Sequence, residues 1–204
     1  NDDEGFLRII AHELFSYIYQ TIKQYDDSHI NFGDKFLLYD HPDCVLEEIS
    51  PYVDVIAIQP GGGYNEMPFT PKDQPYYEKK FRKNIYDHIN QVTGKPIVIA
   101  DYNISFKTKN YPKTSWYQCF SEKEAANMYC RYMIDAFKQP YIIGFSHCEY
   151  FSKYKMKKDY YILRQGVISP SGTPYINFIT KFKRTSNKII RRVLKMIRRK
   201  EKVR

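Results

Sequence analysis

The stretch Gly94-Lys95-Pro96-Ile97-Val98-Ile99-Ala100-Asp101-Tyr102 decides the fold. From Pro96 to Ala100 every position is apolar, the pattern of a strand buried on both faces, as in parallel sheets covered by helices. The apolar run stops at a carboxylate, Asp101. Three other runs share this character: Phe36-Leu37-Leu38-Tyr39, Val53 to Gln59, and Tyr141 to Ser146.

Helical patterns fall between these strands. Leu7, Ile10, Ala11, Leu14, Phe15, Ile18 and Ile22 repeat at three- and four-residue spacing, one stripe on a long first helix that Asp2 or Asp3 would cap. Cys44 to Ile49 reads as a weak helix. Residues 76–92 read as another, with Tyr77, Phe81, Ile85 and Ile89 on one side. Ser121 and Glu124 form a capping box that opens a helix carrying Ala125, Met128, Tyr129, Tyr132, Met133 and Phe137. A last helix runs from about Pro174 into a basic tail. The predicted order, α-β-α-β-α-β-α-β-α, suits either a doubly wound sheet or half of a barrel.

Composition narrows the function less than the pattern does. The 204 residues make one domain or most of one. They include 20 Tyr and 13 Phe against a single Trp, which fits a sugar-facing surface or a nucleotide bias equally. The net charge of +9 is local. Residues 181–204 hold twelve Lys or Arg against one acid, Glu201, whereas the first 180 hold 20 basic and 22 acidic residues. No apolar run has the length of a membrane span. The chain opens on Asn1 with no secretory signal, so its start is expected to be processed, trimmed or lost.

Cys44, Cys119, Cys130 and Cys148 form no C-x-x-C, and His41-Pro42-Asp43-Cys44 has no second pair at zinc-site spacing; free, mostly buried thiols are expected. Gly61-Gly62-Gly63-Tyr64 follows a strand but lacks the residues of a phosphate loop, and reads as a flexible loop near a site.

Five passages, in order, resemble the later strands of the retaining glycoside hydrolases built on a (β/α)8 barrel, the clan that includes β-agarases and β-galactosidases. Tyr25-Asp26-Asp27-Ser28-His29-Ile30-Asn31-Phe32-Gly33-Asp34 is similar to the lead into strand five, and Tyr52 to Gln59 to strand six. Gly94 to Tyr102 is similar to strand seven. Ile143-Gly144-Phe145 with the aromatic run to Phe151 is similar to strand eight, and Gln165-Gly166-Val167 to Pro174-Tyr175 to the closing segment. The resemblance covers about residues 5–180 and implies strands five to eight of a TIM barrel, with residues 181–204 continuing the last helix into a basic amphipathic tail.

In such barrels the ends of the strands build the site, and a retaining glycosidase needs a carboxylate nucleophile facing an acid/base. The resemblance places the nucleophile, a glutamate in the family, at Asp101. It places Gln59, Tyr64, Tyr102, Trp116, His147 and Glu149 around the sugar, with His147 near a slot where the family often has tryptophan. The long stretch from Tyr102 to Phe120, with Tyr111, Trp116 and Tyr117, offers flat rings for stacking. The family's acid/base, an Asn-Glu at strand four, has no counterpart before the first helix; Asn65-Glu66 lies after strand six. No metal or organic cofactor is implied, and a secreted or cell-surface location is.

The expected function is therefore hydrolysis of β-linked poly- or oligosaccharide by the parent barrel. Its partners would be a carbohydrate and either the missing N-terminal half-barrel or a second copy. The alternatives are a non-catalytic glycan- or partner-binding remnant, and a protein acting through its basic tail. In that tail Ile189, Ile190, Val193, Leu194 and Ile197 alternate with Arg and Lys at helical spacing, which suits an anionic surface.

Overall fold

The computed structural model describes residues 2–38, 41–60, 81–112, 118–157, 160–164 and 166–201. The elements are α1 (Asp2–Tyr25), β1 (Lys35–Leu37), α2 (Asp43–Ile49), a 3-10 turn (Ser50–Tyr52), β2 (Ile56–Gln59), α3 (Lys83–Thr93), β3 (Ile97–Tyr102), β4 (Ser105–Phe106), β5 (Gln118–Cys119), α4 (Glu122–Ala136), β6 (Ile142–His147), β7 (Lys153–Lys157), β8 (Tyr160–Arg164) and α5 (Ile176–Glu201). They divide between two compact units, one of residues 1–73, 82–102 and 140–146, the other of residues 74–81, 103–139 and 147–204.

The first unit holds a four-stranded sheet in the order β1-β2-β3-β6. Register pairs Lys35 with Ala57 and Leu37 with Gln59, then Ala57 with Val98 and Ile58 with Ile99, all parallel. Ile56, Ile58, Ile97 and Ile99 have no accessible surface, nor do Leu46 and Ile49 of α2 or Tyr86 and Ile89 of α3. Each such side chain contributes about 1.5–3 kcal/mol of burial, so continuous apolar strands here mean what their pattern implies. The predicted strand over 53–59 starts later, at Ile56, although Val53 and Val55 are buried ahead of it. The predicted helix over 76–92 begins at Lys83; its Tyr77 portion lies outside the described residues.

The passage into β1 is stapled by one asparagine. Asn31 exchanges backbone bonds with Asp54: its N–H donates to the Asp54 carboxylate and its carbonyl accepts from the Asp54 N–H, both at 2.8 Å. Its side chain donates to the Tyr52 carbonyl (2.8 Å) and accepts from the Gly33 N–H (2.9 Å). Gly33 is left-handed (φ 60), and a Cβ there would lie 2.5 Å from Val53 Cγ1. Gly33→Ala is expected to lose about 2–3 kcal/mol in urea unfolding, because strain and a core clash add. A loss under about 0.5 kcal/mol would show that Val53 yields freely.

Helix α1 forms as expected, and its apolar stripe is covered only in part. Of its apolar stripe only Ala11 and Phe15 are buried, while Leu7, Ile10, Leu14, Ile18 and Ile22, with Phe6, Ile9 and Tyr17, remain exposed. The helix packs on α2 and the 3-10 turn, and Arg8 reaches Glu47 (2.6 Å) and Glu48 (3.3 Å) of α2. These elements face only a narrow strip of α1.

The second unit is organised by α4 against α5. Ser121 Oγ accepts from the Glu124 N–H (3.2 Å), as the capping box predicts, and the Glu124 carboxylate accepts from the Phe120 N–H (2.8 Å) instead of from Ser121. Glu122 does a second job: its carboxylate accepts from the Phe178 N–H (2.8 Å) and the Asn177 amide (3.2 Å), filling the first turn of α5. The strands β4 and β5 pair in parallel, so part of the predicted long loop is ordered as sheet. A hairpin, β7 with β8, pairs Lys153 with Arg164 and Lys157 with Tyr160; nothing in the expected order contained it. None of the four cysteines is in a disulfide among the described residues, and Cys44, Cys119 and Cys130 are buried.

Candidate functional site

In the first unit the candidate site lies at the carboxyl end of β2 and β3. Strict alternation along β3 would put Asp101 on the face of Ile97 and Ile99, which is sealed. Asp101 is instead left-handed (φ 54), and the break in alternation redirects its side chain. Its Oδ2 meets the Lys35 Nζ. By register Lys35 shares a face with Ala57 and Val98, the opposite face from Ile97. The Asp101 N–H, freed from the strand ladder, donates to Ser146 Oγ of β6 at 3.1 Å. Carboxylate and ammonium are 38% and 41% exposed. At that exposure the pair orients the carboxylate more than it stabilises the fold.

Gln59 ends β2 with its side chain largely buried, and its carbonyl accepts from the Leu38 N–H at 3.1 Å. Tyr102 has no accessible surface; its ring meets Phe145 edge to face at 5.4 Å. Tyr64 and Trp116 lie outside the described residues.

In the second unit, His147 ends β6 inside an aromatic cluster. Its ring centroid is 5.3 Å from that of Tyr129 and 5.6 Å from that of Phe178, and Tyr129 also meets Phe178 and Phe182. Both ring nitrogens are buried without a hydrogen-bond partner among the described residues, and burial pushes the imidazole pKa down to about 4. The neutral ring is therefore the folded form at neutral pH.

This depression has a consequence for stability. Above the unfolded-state pKa, about 6.5, both states are neutral and His147 has no effect. As pH falls from there towards 4, the unfolded chain takes the proton first, so stability is lost through that window, by up to about 3 kcal/mol. His147→Phe should remove this dependence, read as a smaller difference between urea midpoints at about pH 7 and about pH 4.5. Equal pH slopes in the two proteins would place the acid sensitivity elsewhere.

Glu149 is the other left-handed carboxylate residue (φ 63). Its Oε1 accepts from Lys153 Nζ at 3.3 Å, and its side chain is 12% exposed. Nearby, Asn103 is buried and its amide donates to the Cys148 carbonyl at 3.4 Å. Among the described residues no group of three or more His, Cys, Asp or Glu could hold a metal ion.

Lys35 and Ser146 are the site residues that sequence reading missed. Lys35 sits directly before the apolar run of β1, and a lysine at a strand start was the available signal. Ser146, the last residue of the predicted fourth strand, carried none.

The fold is that of glycoside hydrolases. No family model matches the sequence, and no curated protein matches it. Among solved structures, PfGH50B superposes with a TM-score of 0.76 at 22% identity over 93% of this chain. An exo-beta-agarase gives 0.73 at 18% over 92%, and a beta-D-glucuronidase from Dictyoglomus thermophilum gives 0.57 at 14% over 86%. The chain spans only about a quarter of these proteins, 26%, 23% and 29% of their respective lengths.

Proposed function

We propose that this chain is the part of a (β/α)8 barrel holding strands five to eight, and that the complete barrel hydrolyses O-glycosidic bonds of a β-linked poly- or oligosaccharide with retention. One observation carries the reading. Among the described residues, the only non-glycine residues with positive φ are Asp101 and Glu149, both acids, Asp101 near the end of β3 in the first unit and Glu149 past β6 in the second. Left-handed backbone costs a non-glycine residue about 1–2 kcal/mol, and such strain gathers at functional sites. The fold shared with proteins called agarases and a beta-glucuronidase supports the same reading.

In this mechanism Asp101 attacks the anomeric carbon as the glycosidic C–O bond breaks, giving a glycosyl ester. The leaving oxygen takes a proton from an acid/base supplied by the earlier strands. Water, deprotonated by that same group, then cleaves the ester and frees Asp101. Lys35 holds the carboxylate aimed before substrate arrives, and Gln59 at the end of β2 is a candidate sugar ligand. The exposed apolar face of α1 and the edge strands β1 and β6 would meet the remaining half of the barrel, or a second copy.

Trapping tests the assignment. The full-length gene product carrying this chain, treated with a 2-fluoro-β-glycoside bearing an activated leaving group, should accumulate one sugar on the peptide containing Asp101. A label on another carboxylate, or turnover of the natural glycan with no label at Asp101, would overturn it.

A further inference from the structure

The distal half of α5 carries a face that the fold leaves uncovered. The proximal half packs through Phe178, Phe182 and Thr185, which recur every three or four residues on one side. Beyond Ile189 the apolar side turns. Ile190, Val193 and Leu194 form a stripe centred about 100° around the helix from the packed one, at about 100° per residue. Ile190, Val193 and Leu194 are 53%, 39% and 47% exposed. The opposite arc is cationic: Lys188, Arg191, Arg192, Lys195 and Arg198 share it, and the one acid of the last 24 residues is Glu201.

This is the division of an interfacial helix, one apolar face against one cationic face. Among the described residues no helix is long and apolar enough to cross a membrane, so such a helix would lie along a surface. We propose that distal α5 docks on an anionic phospholipid bilayer, with Ile190, Val193 and Leu194 entering the acyl boundary and the cations drawn to phosphate headgroups. Charge complementarity selects an anionic surface, and the apolar stripe selects lipid over a dissolved polyanion. A polyanion would use the cationic arc alone, which continues into a groove between α4 and α5 lined by Lys123, Lys181, Arg184 and Lys188. The proposal is independent of the glycosidase reading.

Vesicle co-sedimentation of the full chain tests it, using phosphatidylcholine vesicles with and without phosphatidylglycerol. Binding is expected only with the anionic lipid. The double variant V193D/L194D should weaken it at least about fifty-fold, from lost insertion. The variant R191Q/K195Q should weaken it about thirty-fold, at roughly one surface cation each. All four positions are exposed, so both variants should keep the wild-type circular dichroism. If they do not, V193S/L194S replaces the aspartate variant under the same criterion. Absence of binding to the anionic vesicles would overturn the proposal. So would binding that survives loss of the apolar pair while falling with the cations, the signature of a dissolved-polyanion site.

Discussion

Asp101→Asn is expected to lower turnover of a β-linked oligosaccharide by at least about a thousand-fold, with little change in stability. The substitution separates chemistry from structure better than alanine does. Asparagine tolerates the left-handed backbone (φ 54) that Asp101 adopts, and its amide oxygen can still accept from Lys35. What it lacks is a charged oxygen able to form the glycosyl ester. Alanine would add backbone strain and blur the result. Asp101→Glu should retain more activity than Asp101→Asn, with a loss of about a hundred-fold, because the added methylene moves the oxygens by about an ångström. Turnover by the full-length protein is the measurement. Undiminished turnover in Asp101→Asn would leave Asp101 as a strand-end acid held by Lys35 and Ser146, with the nucleophile elsewhere.

The largest loss of stability is expected from Gly166→Ala, at about 3 kcal/mol or more. A Cβ at Gly166 would stand 2.5 Å from both the Phe151 carbonyl carbon and the Tyr150 carbonyl oxygen, and 2.7 Å from the Ser152 nitrogen. All three are backbone atoms, so no rotamer change relieves the contact. The surrounding bonds also resist movement. The Gly166 N–H donates to Ser152 Oγ at 2.9 Å, the Val167 N–H to the Tyr150 carbonyl at 2.9 Å, and the Ser152 N–H to the Ile168 carbonyl at 2.7 Å. Displacing either segment breaks bonds that are largely shielded from water. Gly5→Ala, with nothing within 4 Å of the added methyl, should instead be neutral or stabilise the exposed α1 slightly. Urea unfolding of both checks the contrast; a loss at Gly166 below about 1 kcal/mol would mean that the two segments separate readily.

The four central strands were legible because their burial is two-sided, and two-sided burial writes itself as consecutive apolar residues such as Ile97-Val98-Ile99. The capping box at Ser121 was legible for a similarly local reason. The hairpin β7–β8 was not: Lys153-Tyr154-Lys155-Met156-Lys157 alternates, but its three lysines read as surface charge and not as strand. The stripe on α1 was legible as a period, but how little of it is covered was not, since periodicity says which side is apolar and not what covers it. At the site, Asp101 stood out as the carboxylate ending an apolar run. Its ammonium partner is 66 residues earlier in sequence, and such pairing depends on sheet register. The left-handed turns at Asp101 and Glu149 were equally silent, because neither residue is a glycine.

The order of the sheet, β1-β2-β3-β6, follows the order of the chain. A ribosome emits residues at about 5–20 per second, so each strand emerges to find the previous one already waiting with an open edge. No strand must be threaded between two that have paired, and no earlier pairing must be undone. The sheet of this unit can thus be laid down during translation like courses of brick, with β6 closing the row after α4 has left the exit tunnel.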